Sequence, residues 1–280
     1  MRFFKHIKTI PNTINLFIDI TTKCNLKCSY CFARKTKEWD KIQSIEKLKL
    51  VSNTLRFSEY NFNIILFGGE ALLHPDIKKI VELFNNNKKV LNTVLLTNGT
   101  YNGDYGLYVE YVFTLHDLSD KEFLIFKDNI RKTNKSIINL MLKNNIRFKN
   151  QYHDLLNEFG KDKIEISQIY DDNTIVNDIT DEFDFIEYNK DYLYNGKSYT
   201  YQEYIKIHKN IIPKDIGICY VQELNIDIDG NISNDCNNIS DNIFDNPLFF
   251  KSYNNKYNCQ RDFCKDCTGT IRTTKELDVK

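Results

Sequence analysis

Cys24, Cys28 and Cys31 stand within eight residues, in the string Cys24-Asn25-Leu26-Lys27-Cys28-Ser29-Tyr30-Cys31. Three thiolates this close can converge on one metal centre. A structural zinc ion wants four closed ligands, and no fourth Cys or His lies nearby in the sequence. An iron–sulfur cube is normally held by four cysteines. Three would leave one iron without a protein ligand, and an open iron is a place to do chemistry. Five further cysteines, Cys219, Cys236, Cys259, Cys264 and Cys267, sit in the last quarter of the 280-residue chain, and the stretch from 32 to 218 has none. In a reducing compartment such clusters are metal sites before they are disulfides. The odd count in each group also argues against disulfides. Cys264 and Cys267 can bind one metal from a single turn, and Cys219 and Cys236, on either side of a hairpin, can supply two more ligands. A zinc ribbon is the competing explanation for the tail.

Other residues join these as candidates. Gly68-Gly69-Glu70 is followed by Ala71-Leu72-Leu73-His74-Pro75-Asp76; only ten glycines occur in the chain, and two are adjacent here. Glycine lets backbone approach a ligand closely, and a carboxylate beside it can meet a ligand's ammonium group. Thr97-Asn98-Gly99 is either a simple turn or a ligand contact. Thr114, His116 and Gln168 lie near the ends of predicted strands.

These residues need a scaffold that gathers them. Ile14–Ile20 alternates Ile14, Leu16, Ile18 and Ile20 on one face, which predicts a strand. Ile64–Phe67 is a short apolar run, a buried strand. Val94–Leu96, Tyr111–Leu115, Ile137–Leu142 and Ile164–Ile169 supply four more. Apolar residues recur at helical spacing between them: Ile45, Leu48, Val51 and Leu55; Ile77, Ile80, Val81 and Phe84 after Pro75-Asp76; Phe123, Phe126 and Ile130; and Tyr152, Leu155, Leu156 and Phe159, closed by Gly160. Alternation of strand and helix predicts βαβ units and a parallel sheet. Periodicity alone fits both an open doubly wound sheet and an incomplete barrel. The motifs fall at the C-terminal ends of predicted strands, where both architectures build their sites. The Asp-, Asn- and Tyr-rich stretch from about 171 to 215 is a bridge, with a hairpin around Asn195-Gly196. In the tail, Leu224, Ile226 and Ile228 alternate into the turn signal Asp229-Gly230.

The C-x3-C-x2-C spacing, with an aromatic residue before its last Cys and a strand directly before it, resembles the motif of the radical S-adenosylmethionine (radical SAM) superfamily. Gly68-Gly69-Glu70 resembles that superfamily's GGE motif, and Thr97-Asn98-Gly99 its TNG. The resemblance covers roughly residues 12–172 and is strongest over 14–31 and 62–99. It implies an α/β fold, a partial (β/α)6 TIM-like barrel with a small Cys-rich C-terminal extension. The expected division is a core of residues 1–172, a bridging segment 173–215 and an auxiliary domain 216–280. It further implies a 4Fe–4S cluster on Cys24, Cys28 and Cys31 whose open iron is chelated by the amino and carboxylate groups of SAM. Tyr30 would lie against the adenine, Gly68, Gly69 and Glu70 would recognise the SAM amino group, Asn98 would be a ligand contact, and Thr114 and His116 would meet the ribose. Reductive cleavage of SAM would give methionine and a 5′-deoxyadenosyl radical that takes a hydrogen from substrate.

The tail is similar to SPASM and twitch extensions, which carry auxiliary 4Fe–4S clusters. Five cysteines suit the shorter twitch form with one cluster. Five residues rather than four separate Gly230 from Cys236, which departs from the usual pattern, and one Cys is surplus: Cys259 is a ligand in place of Cys264, or a free thiol. The resemblance also implies an external electron donor such as a flavodoxin or ferredoxin. Relatives of this kind oxidatively modify ribosomally made peptides or act on small molecules. With about 13 residues before the first strand, no fused N-terminal peptide-recognition domain is expected. The alternative is a non-catalytic iron–sulfur or zinc-binding electron-transfer protein on the same scaffold.

Composition sets the outer bounds. Hydrophobic residues are 41% and charged residues 27%, compatible with a globular core. Lys+Arg and Asp+Glu both number 38, so no global basic field points to nucleic acid or an anionic membrane. No apolar run approaches the roughly 18 residues of a membrane span, and the start lacks the apolar core of a secretory signal. The expected location is the cytoplasm.

Overall fold

The computed structural model describes residues 12–28, 31, 38–116, 118–141, 146–167, 223–233 and 238–253, with short strand segments between 170 and 272. Strands β1 (Thr13–Thr21), β2 (Asn61–Gly68), β3 (Val90–Thr97), β4 (Glu110–Leu115), β5 (Ser136–Met141) and β6 (Ile164–Ser167) pair in chain order, each parallel to the next. Helices α1 (Ile45–Leu55), α2 (Ile77–Asn85), α3 (Asp120–Arg131) and α4 (Ile146–Phe159) follow β1, β2, β4 and β5.

Two structural facts decide between the architectures that periodicity left open. The strand order from β1 to β6 never reverses, whereas a doubly wound sheet reverses at a switch point. The helices also cover one face only. The large core joins Ile14, Leu16, Ile18 and Ile20 of β1 to Leu48, Val51 and Leu55 of α1, Ile80 and Phe84 of α2, and Phe126 of α3. Residues of opposite parity, Phe17, Ile65, Val94 and Val112, form a separate small cluster made of strand residues alone. The result is an unclosed half-barrel with helices outside and a concave inner face. Each buried Ile, Leu or Phe of the large core contributes about 1.5–3 kcal/mol.

Local signals fix the helix starts. Ser44 caps α1, its hydroxyl accepting from the Lys47 N–H at 3.3 Å. Ser119 and Glu122 form a reciprocal capping box at α3. The regular alternation lapses once. Residues 98–109 link β3 to β4 without a helix. This segment carries three glycines and no apolar stripe at helical spacing, and Tyr105 fills the place a helix would take, stacked on Phe113 with ring centroids 5.6 Å apart.

Beyond β6 the sheet continues on its other edge. Strand β7 (Glu223–Ile226) pairs parallel to β1, with Leu16 opposite Leu224 and Ile18 opposite Ile226. Strands β8 (Asn231–Ser233) and β9 (Asn238–Asn242) follow antiparallel, giving the nine-stranded order β9-β8-β7-β1-β2-β3-β4-β5-β6. The hairpin around Asp229-Gly230 thus extends the sheet past the β1 edge. A short helix, α5 (Phe249–Ser252), adds Phe250 to the same core, 5.0 Å from the Phe62 ring. Tyr192–Tyr194 pairs antiparallel with Lys197–Tyr199, and Asn195-Gly196 between them lies outside the described residues. No helix among the described residues is long and apolar enough to cross a membrane.

Candidate active site

At the C-terminal end of β1 the chain leaves the sheet as the cysteine loop and returns to it at once. The Thr22 N–H donates to the Lys41 carbonyl at 3.0 Å, and the Lys41 N–H donates back to Thr22 Oγ1 at 2.9 Å. Thr22 Oγ1 in turn donates to the Glu38 carbonyl at 2.8 Å, and the Gln43 N–H donates to the Ile20 carbonyl at 2.9 Å. Thr22 is thus tied to Glu38 and Lys41, and Ile20 to Gln43. Buried His74 tightens this exit. Its Nδ1 accepts from the Asp76 N–H at 3.1 Å, so Nε2 carries the proton and donates to the Gln43 carbonyl at 2.8 Å. Burial pushes its pKa down, and the ring serves as a fixed neutral brace. Gln43 Nε2 donates on to the Ile228 carbonyl at 3.0 Å, and Lys41 pairs with Asp229 at 3.0 Å. The loop exit is thereby tied to the C-terminal hairpin.

Cys24, Cys28 and Cys31 are half-buried thiols that form no disulfide. Burial pushes the Cys24 pKa up, and the charges of Glu70, Cys28 and Cys31 push it further in the same direction. These acidic groups therefore lie close enough to disfavour the ionisation of Cys24. A bound cation reverses that penalty, because a coordinating thiol is deprotonated outright. The donor set fits an iron–sulfur cluster, which is held by thiolates. Among the described residues, no group of three or more Cys, His, Asp or Glu side chains is arranged to hold a metal ion. Tyr30 lies outside the described residues.

Gly68, Gly69 and Glu70 pack against the start of the same loop. The Gly69 N–H donates to the Thr21 carbonyl at 2.6 Å, and the Glu70 N–H donates to the Lys23 carbonyl at 2.8 Å. Gly68 has φ +145°, and a Cβ there would sit 2.0 Å from the Thr21 carbonyl oxygen. At Gly69 a Cβ would come within 2.3 Å of the Lys23 carbonyl oxygen. The two glycines are thus required by the chain's own close approach, a reason the sequence alone did not supply. Gly69→Ala is expected to destabilise the protein by about 1–3 kcal/mol, the usual cost of overpacking, and to lower iron uptake. Chemical denaturation and iron analysis of the purified variant check this; unchanged stability and iron content would contradict it.

Glu70 is fully buried. Its Oε1 accepts from the Leu72 N–H at 3.1 Å and from Thr97 Oγ1 at 2.9 Å, and its Oε2 accepts from the Asn98 N–H at 2.8 Å. A carboxylate has about four acceptor sites, so one on Oε2 remains for a ligand donor. Desolvation raises its pKa from 4.5 to about 7, against the lowering effect of these three donors. The raised value means that folded protein holds this proton over a range where unfolded protein has released it. The stability so gained is fully present below pH 4.5 and is lost as pH rises through about 7. Glu70→Gln removes the titration. Across that window the parent should lose stability relative to the variant by up to about 1.4 kcal/mol per pH unit, measured by urea unfolding of the iron-free proteins. Parallel pH profiles would contradict the assignment.

Asn98 completes the junction. Its Nδ2 donates to Asn25 Oδ1 at 2.8 Å and reaches Cys24 Sγ at 3.8 Å. Its Oδ1 accepts from both the Thr100 N–H, at 2.9 Å, and Thr100 Oγ1, at 2.7 Å. Asn25 Nδ2 donates to Thr100 Oγ1 at 2.9 Å. Three motifs far apart in sequence thus meet in one hydrogen-bonded unit beside the cysteines. From the other side, Asn129 of α3 holds the turn, donating to the Gly99 and Tyr101 carbonyls at 2.9 Å each. Asn25, Thr100, Asn129 and the His74–Gln43 brace were not singled out from sequence. Single polar residues carry no periodic signal that would have marked them.

Thr114 lies on β4 with the parity of Val112, on the concave face, and pairs in register with Asn139 of β5. His116 lies just past that strand, half-buried, and burial pushes its pKa down to about 4, so its imidazole is neutral near pH 7. Gln168, Cys236, Cys259, Cys264 and Cys267 lie outside the described residues. Cys219 belongs to the strand Ile218–Val221, which is flanked antiparallel by Lys256–Asn258 and Thr270–Arg272; Cys219 pairs with Tyr257 on one side and Arg272 on the other.

A singly wound parallel half-barrel with cysteines, a glycine-rich turn and buried polar groups at the strand C-termini defines an α/β enzyme-type scaffold. Residues 18–140 match the Radical SAM superfamily. A GTP 3′,8-cyclase of Nautilia profundicola is 31% identical over 90 residues, 31% of this chain and 28% of that protein. The antilisterial bacteriocin subtilosin biosynthesis protein AlbA of Bacillus subtilis is 31% identical over 90 residues, 32% of this chain and 19% of that protein. These matches span less than a third of either relative's length. Among solved structures, anSMEcpe with bound AdoMet and Cp18Cys peptide superposes with a TM-score of 0.57 at 18% identity, covering 91% of this chain and 86% of that one. Streptococcus suis SuiB bound to precursor peptide SuiA gives 0.57 at 14% identity, covering 86% and 67%. These likenesses establish a common fold.

Proposed function

We propose that this protein is a radical SAM enzyme that oxidatively modifies a peptide, with Cys24, Cys28 and Cys31 holding a 4Fe–4S cluster. The hydrogen-bonded junction of the cysteine loop, Glu70 and Asn98 carries the reading. It places a thiolate triad, a buried carboxylate with acceptor capacity to spare and a fixed amide at one end of a parallel half-barrel. Cluster and SAM together supply a 5′-deoxyadenosyl radical that takes a hydrogen from substrate. The chain's own residues bind and orient. The backbone of Gly68 and Gly69 and the carboxylate of Glu70 receive the SAM amino group. Tyr30 is assigned to the adenine. Thr114 and neutral His116 hydrogen-bond the ribose hydroxyls without adding charge. The apolar inner face, with Phe17, Ile65, Val94 and Val112 buried at its base, keeps water from beneath the reacting atoms.

The tail is proposed to hold one auxiliary 4Fe–4S cluster, on four of Cys219, Cys236, Cys259, Cys264 and Cys267. The backbone supports this grouping. Pairing of Ile218 with Asn258 and of Val221 with Thr270 draws the segments leading to Cys259 and from Cys267 alongside Cys219. An external electron donor supplies the reducing electron. The solved peptide-bound structures of like fold favour a peptide substrate, whereas the cyclase relatives favour a small molecule, the second reading. Anaerobic iron reconstitution followed by SAM and dithionite tests the activity. Release of 5′-deoxyadenosine is expected. An iron-replete protein that leaves SAM intact, or one that takes zinc without iron, would establish the non-catalytic alternative instead.

A further inference from the structure

The amide of Asn98 has one possible orientation. The Thr100 backbone N–H is a fixed donor 2.9 Å from Oδ1, so that atom must be the oxygen and Nδ2 must face Asn25 and Cys24. From there the hydrogens of a closed ring follow in order. Asn98 donates to Asn25, Asn25 to Thr100, and Thr100 Oγ1 back to Asn98. The second Nδ2 hydrogen is left for Cys24 Sγ, 3.8 Å away. Leu26 aims its backbone N–H at the same sulfur from 3.4 Å. Cys24 thus has two amide donors directed at it, one from its own loop and one from the turn after β3, 74 residues on. Asn98 is buried, so water does not compete for its amide.

We propose that Asn98 is a positioning residue that tunes the cluster through Cys24. Its amide hydrogen withdraws charge from the Cys24 thiolate, stabilises the more negative reduced cluster and raises its reduction potential. Hydrogen bonds to ligand sulfurs are one of the levers that set such potentials. This inference rests on Cys24, Cys28 and Cys31 being the cluster ligands. It adds a role in electron uptake to a residue that sequence reasoning could place only as a ligand contact.

Potentiometry of the reconstituted full-length protein, followed by the paramagnetic signal of the reduced cluster without SAM, tests it. Asn98→Leu keeps the volume and removes the donor, so its potential should fall below that of the parent. Thr100→Val breaks the ring at Oγ1 but keeps the backbone N–H that orients Asn98, so its potential should match the parent. An unchanged or higher potential in Asn98→Leu, or an equal fall in both variants, would overturn the proposal. Should Asn98→Leu fail to take up iron, the unsubstituted protein decides. With asparagine labelled with 15N at the side-chain amide, the reduced cluster should show a 15N coupling, and its absence would overturn the proposal. A parent protein with no reducible cluster would instead overturn the underlying ligand assignment.

Discussion

Cys28→Ala is expected to reduce SAM cleavage to background while leaving the fold intact. Cys28 is half-buried on the loop and belongs to neither apolar cluster, so removing its thiol opens no core cavity of the kind that costs several kcal/mol. Its loss leaves two thiolates where the proposed cluster needs three, and no other Cys lies between 32 and 218 to replace it. The measurement is 5′-deoxyadenosine formed per protein after anaerobic reconstitution, with circular dichroism to establish folding. A folded Cys28→Ala variant that still cleaves SAM at the parent rate would contradict the triad.

Cys264→Ala is the second large effect, and it has the opposite pattern. If the tail holds a separate cluster, this variant keeps the first site and should still release 5′-deoxyadenosine, yet it should form no modified product. Among the described residues, the hydrogen bonds that build the first site reach no further along the chain than Asn129, and the tail meets the loop exit through Ile228 and Asp229. Equal loss of cleavage in Cys28→Ala and Cys264→Ala would show that the two cysteine groups do not serve separate centres. The assay follows SAM cleavage and mass change of a candidate peptide in the same reaction.

Much of the scaffold was readable because its signals are local. Alternation in β1 and the apolar stripes of α1, α2 and α3 come directly from burying one face of each element. The pairing of β7 with β1 was not readable, because a strand's partner 200 residues away leaves no mark in its own pattern. The helix-free link before β4 was hidden for a related reason. Its glycines and tyrosines do not announce that Tyr105 will stack on Phe113. At the site, residue types were legible and their reasons were not. Gly68 and Gly69 suggested an approach to ligand, and the structure shows them approaching the Thr21 and Lys23 carbonyls. Asn98 was visible within its motif, but its link to Cys24 through the Asn25–Thr100 ring depends on three turns meeting in space.

The central claim is that an iron of the cluster held by Cys24, Cys28 and Cys31 remains available to SAM. Pulsed electron–nuclear double resonance of the reduced, reconstituted protein tests it directly, using SAM labelled with 15N at its amino group and 17O at its carboxylate. Hyperfine coupling of both nuclei to the cluster is expected. A fully reduced cluster that shows coupling to neither label would contradict it.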